Sequence, residues 1–281
     1  MKGYALPLLV ILLVGAIAGC MGGGETTAKP TASIVPNGTE KMETTGSPRP
    51  AVTTTRKEPD PGELLEGVRS IRRFTYNSNT SLVMTVTVEG NESSETDNVT
   101  LRIIERGYVD YDSWSAWINT TTISLPDGTG TETSRIIVNN VTYLRTAVGW
   151  VRIDDPAASE MVWRYSIVSL ARRYLAEKPD SIEEGKILRL IYRIPDYELE
   201  PLAEAYFSAS AQTSVYVSGG RLELHFRGNR LVGGRLGFDV SSVTEVSDPI
   251  LGEMRITQEG SWDETFEITS VNRRIEVRPP T

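Results

Sequence analysis

Two blocks of alternating apolar and polar residues, divided by helical stretches, limit this chain to a small set of folds. In the first block Leu82, Met84, Val86 and Val88 alternate with Val83, Thr85, Thr87 and Glu89. Val99, Leu101 and Ile103 alternate with Thr100 and Arg102. Val109 and Tyr111 carry the pattern past Gly107, and Trp114, Ala116 and Ile118 continue it. A period of two sends successive side chains to opposite faces, so one face is buried while the other meets water. That pattern reads as antiparallel strands. Asn139-Asn140 divides residues 135–138 from 141–144 and predicts a hairpin, because asparagine tolerates positive φ. Residues 149–153 read as a further short strand, ended by Asp154-Asp155-Pro156.

The second block repeats the logic. Leu222, Leu224 and Phe226 alternate with Arg221, Glu223, His225 and Arg227, with Gly219-Gly220 and Gly228-Asn229 as turn signals on either side. Leu236, Phe238 and Val240 follow, then Met254 and Ile256, then Phe266 and Ile268.

Helical periodicity fills the gaps. Over residues 62–71, Leu64, Leu65, Val68 and Ile71 share one helix face. A long helix is predicted over 159–177, with Trp163, Ile167, Leu170 and Tyr174 in one stripe and Lys178-Pro179 as the stop. Residues 187–194 read as a strand. Residues 199–211 read as a second helix with Pro201 in its first turn. There is no regular β-α alternation, which excludes a doubly wound parallel sheet. The order predicts an α+β fold: one antiparallel sheet with helices gathered on one side.

The N-terminal segment gives an address. Lys2 precedes an apolar run from Leu6 to Ile17, shorter than the about 20 residues of a membrane span. Ile17-Ala18-Gly19-Cys20 reads as a lipobox, with residues 1–19 as a signal peptide and Cys20 as the lipid-attachment site. Residues 20–61 are rich in Gly, Thr and Pro and read as a disordered tether. Residues 62–281 then form a single domain, tied to the outer face of the cell membrane. Asn37, Asn79, Asn91, Asn98, Asn119 and Asn140 each begin an Asn-X-Ser/Thr sequon. A lipobox with dense sequons points to an archaeal cell surface.

Composition and motifs narrow the activity. The formal charge of −8 argues against nucleic acid as a partner, since phosphates demand a basic face. One cysteine and one histidine exclude disulfides and metal sites built on those residues, and no cofactor is expected. His225 falls on the polar face of its strand and reads as a surface residue. No serine sits in Gly-x-Ser-x-Gly, and Ser169 and Ser208 fall within helices. Glu183-Glu184 and Asp154-Asp155 are adjacent, so neither pair can face across a cleft; they read as helix-start or loop charges. Gly233-Gly234-Arg235-Leu236-Gly237 lacks the Lys-Ser/Thr of a phosphate loop and reads as hairpin turns. No catalytic residue is assigned and no enzyme is expected. The aromatics Trp114, Trp150, Trp163, Tyr143, Tyr165, Tyr206 and Phe207 either line an apolar cavity beneath the helices or fill an ordinary core.

The order lipobox, tether, helix, strands, long helix and closing β block resembles the LolA/LppX-like lipoprotein superfamily, whose fold the regulator RseB shares. So does Asn140-Val141-Thr142-Tyr143-Leu144-Arg145 followed by Gly149-Trp150-Val151-Arg152. The resemblance spans residues 61–277. It implies a strongly curved antiparallel sheet, a half-barrel, with helices on its concave face and a cavity between them for acyl chains or lipids. On that reading the cavity wall comprises Met84, Val86, Ile103, Trp114, Tyr143, Trp150, Trp163, Ile167, Leu170, Tyr174, Tyr206 and Phe207. The chain is then expected to bind or carry a lipid or other hydrophobic ligand. The alternative is a non-enzymatic sensing or scaffolding module that binds an envelope protein.

Overall fold

A computed structural model of the chain describes residues 60–280, apart from 91, 92, 126, 209, 211 and 249–251. The signal peptide, Cys20, nearly all of the tether, and the sequons at Asn37 and Asn91 lie outside the described residues.

The first element is helix α1 (Pro61–Arg69). Asp60 caps it, its side chain accepting from the Gly62 amide at 2.9 Å, and Pro61 sits where its missing N–H costs nothing. Leu64 and Val68 are the buried face of α1. Eleven strands follow: β1 (Arg73–Glu89), β2 (Ser94–Asp110), β3 (Ser115–Leu125), β4 (Gly130–Val138), β5 (Val141–Thr146), β6 (Gly149–Ile153), β7 (Ser181–Glu183), β8 (Leu188–Arg193), β9 (Ser214–Arg227), β10 (Arg230–Asp248) and β11 (Gly252–Val271). Helices α2 (Ala157–Tyr165) and α3 (Ile167–Tyr174) separate β6 from β7, and α4 (Asp196–Phe207) separates β8 from β9.

All eleven strands join one antiparallel sheet in the order β6-β5-β4-β3-β2-β1-β11-β10-β9-β8-β7. The sheet does not close, because β6 and β7 are its two edges. The chain thus runs outward to one edge, crosses through α2 and α3 to the other, and returns to the centre. No helix among the described residues is long and apolar enough to cross a membrane.

Register fixes the faces. Phe74, Tyr76, Leu82, Met84 and Val86 of β1 pair across to Val109, Gly107, Leu101, Val99 and Asp97 of β2. The first five are buried beside α2, α3 and α4 in a continuous apolar core. The opposite face is mostly solvated. Tyr108 is buried there, because the segment after β11 lies across it and the Ile275 amide donates to the Tyr108 hydroxyl at 3.2 Å.

Several expectations are corrected. The long helix over 159–177 is two helices, broken at Ser166, whose backbone is extended (φ −59°, ψ 144°) and whose Oγ accepts from the Ser169 amide. Tyr111 holds this break to the sheet by hydrogen bonds to the Ser166 and Ser169 hydroxyls at 2.7 and 2.9 Å. Helix α4 begins three residues earlier than expected, so Pro201 lies inside the helix rather than in its first turn, and Ser208 lies just beyond its end. Glu183 ends the edge strand β7, and Glu184 lies in the loop after it. Gly219-Gly220 and Gly233-Gly234 are not turns. They lie within β9 and β10 beside register shifts, where an extra residue is absorbed and the ladder continues. Gly220 has a further reason: a Cβ there would stand 2.6 Å from the Ile194 carbonyl oxygen, where the chain turns into α4. The Asn139-Asn140 hairpin forms as expected, both residues taking positive φ (53° and 63°).

Candidate functional site: a cavity with a polar floor

Where β4, β3, β2, β1 and β11 meet the underside of the helices, packing is incomplete and leaves a cavity of ≈ 80 Å³. Its roof is Met161, Val162 and Tyr165 from α2, Ser166 and Ile167 at the helix break, and Leu202 and Tyr206 from α4. Its floor is Phe74, Tyr76 and Thr80, Ile103, Glu105 and Val109, Ile118, Arg135, and Trp262, Glu264 and Phe266. The roof is held as a unit through Glu198. That carboxylate takes Arg173 at 2.6 Å and the Tyr174 hydroxyl at 3.1 Å, while the Tyr165 hydroxyl donates to the Glu198 carbonyl at 2.5 Å.

The walls are mainly apolar, but the floor is not. Glu105 accepts from Thr120 Oγ1 at 2.9 Å and from the Tyr76 hydroxyl at 3.3 Å. Tyr76 reaches it across Gly107, its direct partner on β2, where any Cβ would collide with the Tyr76 ring. Next along the floor is Glu264, 9% exposed. Burial pushes its carboxyl up to about 8, and the neighbouring Glu105 charge adds to the effect. Ser78 and Trp262 stand close enough to favour its charged form, yet neither Ser78 Oγ nor Trp262 Nε1 completes a hydrogen bond, and both atoms are buried. Burial, then Glu105, raises the Tyr76 and Tyr206 hydroxyls well above the ordinary tyrosine range. Arg135 lines the same space, its charge favours ionisation of both tyrosines, and no ion pair with it is formed among the described residues. A mostly apolar hollow with a few convergent polar groups and a displaced carboxyl has the make-up of a ligand site.

Of the residues expected in the cavity wall, Ile103, Ile167 and Tyr206 are there. Met84, Val86, Leu170, Tyr174 and Phe207 are buried core residues away from it. Trp163 is half-buried outside the wall, stacked edge-on with Trp114 at 5.4 Å. Trp114 is not a strand residue: it sits in the turn before β3 with φ 48° and is 51% exposed. Tyr143 and Trp150 are on the other face of the sheet. Tyr143 pairs with Ile136, Ile136 with Trp117 and Trp117 with Tyr108, a row one step out of phase with Ile118 and Arg135. Trp150 pairs with Arg145 on that same outer face. Sequence reasoning missed the whole polar floor, Thr80, Glu105, Arg135, Trp262 and Glu264, and Ser78 beside it.

Other candidates fall apart spatially. His225 stands on the outer face of β9 with Glu223 at 3.4 Å. Asp155 serves the start of α2, accepting from the Ala157 amide. Among the described residues no group of three histidine, cysteine or acidic side chains could hold a metal ion. The sequon residues Asn79, Asn98 and Asn119 are exposed on the outer face, and Asn140 is exposed in its hairpin turn.

Fold and cavity together define an α+β protein: one large open antiparallel sheet, helices over one face, and a small hollow of mixed polarity between them. No protein-family model matches the chain, and no curated protein matches it. Among solved structures it is similar to LprF from Mycobacterium bovis, with 10% identity, a TM-score of 0.35, and 79% of this chain and 98% of that one covered. A β-barrel-like protein of a domain of unknown function from Brucella abortus gives 10% identity, a TM-score of 0.22, and coverage of 72% and 100%. An outer membrane lipoprotein-sorting protein domain from Vibrio parahaemolyticus gives 11%, 0.14, and 70% and 87%. Likenesses this distant carry no weight for function.

Proposed function

We propose that this protein is a lipid-anchored, extracytoplasmic binding protein that takes an apolar or amphiphilic ligand between sheet and helices, and that it acts by binding rather than by catalysis. On this reading the sheet curves around the helices and the cavity lies on its concave side. Cys20 carries the anchor, residues 20–61 hold the domain off the outer face of the membrane, and the outward-facing sequons accept glycans. The observation that carries the reading is the convergence of polar groups inside an otherwise apolar hollow. A sheet that merely needed a core would fill those floor positions with Leu, Ile or Val.

The cavity is small beside the roughly 300–1,000 Å³ of common ligand pockets. A whole lipid therefore requires α2 and α4 to lift, or its tail to leave through the half-buried Met161, Val162 and Phe266. That small volume also favours the second reading, a closed module that binds an envelope protein. Full-length protein isolated without detergent from lipid-containing cells separates them by native mass spectrometry. A bound amphiphile is expected; uniformly ligand-free protein that crosslinks to a single envelope protein on intact cells would overturn the first reading for the second. The anchor has its own check: C20S should move the protein from the membrane to the soluble fraction.

A further inference from the structure

Resting on the ligand-binding reading, we propose that the cavity floor selects for a carboxylate: the ligand is a long-chain carboxylic acid whose head group is held by Arg135 and Trp262, with its tail under α2 and α4. Trp262 Nε1 can only donate, is buried, and stands beside Glu264 without completing a hydrogen bond. Arg135 can only donate, lines the same cavity, and has no anionic partner among the described residues. Of the two carboxyls on the floor, Glu105 already accepts from Thr120 and Tyr76. Glu264, the other carboxyl, retains its proton at neutral pH and so offers a donor as well. A floor with donors in surplus calls for an acceptor.

Head-group chemistry narrows the class. A planar, singly charged carboxylate matches one guanidinium fork in a bidentate pair. A phosphate monoester would bring a second negative charge beside Glu105 and exceed what one arginine can offset. A quaternary ammonium would face the Arg135 cation and leave Trp262 Nε1 unsatisfied.

The test is a head-group series on the full-length protein, titrated calorimetrically at pH 7 with decanoate, decanol and decyltrimethylammonium. Decanoate should bind about tenfold more tightly than decanol, and decyltrimethylammonium more weakly than either. R135Q should abolish the preference for decanoate while leaving decanol affinity within about twofold. Should R135Q not fold, the order of affinities in the unsubstituted protein decides alone. Equal binding of decanoate and decanol, or preference for the ammonium, would overturn the carboxylate proposal and leave a ligand-binding protein. Failure of all three to bind would remove the ligand-binding reading and this proposal with it.

Discussion

The two ends of strand β1 face the same side of the same sheet and are built on opposite rules. Toward its C-terminal end the inward residues are Leu82, Met84 and Val86, at most 4% exposed, packed into the core. Toward its N-terminal end they are Tyr76, Ser78 and Thr80, also buried, with Tyr76 and Thr80 lining the cavity. The neighbouring strand follows suit: Trp262 pairs with Leu82, and Glu264 with Thr80, two residues further on. The apolar half has polar pairs of its own, and they are self-sufficient: Ser242 donates to Gln258 at 3.1 Å, both buried. The cavity half has buried polar atoms, Ser78 Oγ and Trp262 Nε1, that stand beside Glu264 without completing a hydrogen bond. Burial alone therefore does not separate a structural polar group from a site; satisfaction does.

That contrast is most directly broken in the apolar half. L82A removes a fully buried side chain, with Trp262 and Leu101 as its neighbours in register, and should cost about 4 kcal/mol of unfolding free energy in urea titrations, at any pH where the protein folds. A loss under about 1 kcal/mol would mean that the two halves are packed alike.

Two residues away in register, Glu264 should respond with the opposite sign. Its carboxyl titrates at about 8 in the folded protein, against 4.5 for an unburied glutamate. Between those values the folded state keeps a proton that the unfolded chain gives up. Its contribution is therefore complete below pH 4.5, is lost as pH rises through the window, and is gone above pH 8. E264Q cannot ionise and escapes that loss. It should stabilise the protein by about 2 kcal/mol at pH 8.5, and the gain should shrink towards zero near pH 5. A pH-independent difference would mean that Glu264 is not the group that titrates.

The same contrast explains what could be read from the sequence. The apolar half of β1 was legible from Leu82 onward because its alternation is uninterrupted, and so were the flanking antiparallel strands and the Asn139-Asn140 hairpin. The strand begins nine residues earlier, at Arg73, but Ser78 and Thr80 put polar residues at inward positions and erase the pattern. Glu264 does the same between Trp262 and Phe266. The site hid itself, because inward polar residues are what make it a site and also what make its strands look like loops. Tyr143 and Trp150 misled for a related reason: aromatic type suggested a cavity wall, while only register through four strands shows which face they occupy. The break at Ser166 was hidden because apolar periodicity runs through it from Trp163 to Ile167 and Leu170, and a serine N-cap inside a stripe is a weak signal.

The smallest effect is also the sharpest comparison, between two buried serine hydroxyls on the inner face. S242A removes the donor to Gln258 and leaves a buried acceptor unpaired, so it should cost about 1.5 kcal/mol. S78A removes a hydroxyl that has no hydrogen-bond partner to strand, so its effect on stability should stay within about 0.5 kcal/mol of zero. It should still be felt at Glu264: the Ser78 hydroxyl beside that carboxyl favours its charged form, and its loss should push the carboxyl further up, visible by NMR as a midpoint above that of the unsubstituted protein. Equal costs for the two serines would mean that Ser78 is as fully paired as Ser242, and the polar floor would then be part of the core rather than a place held open for a ligand.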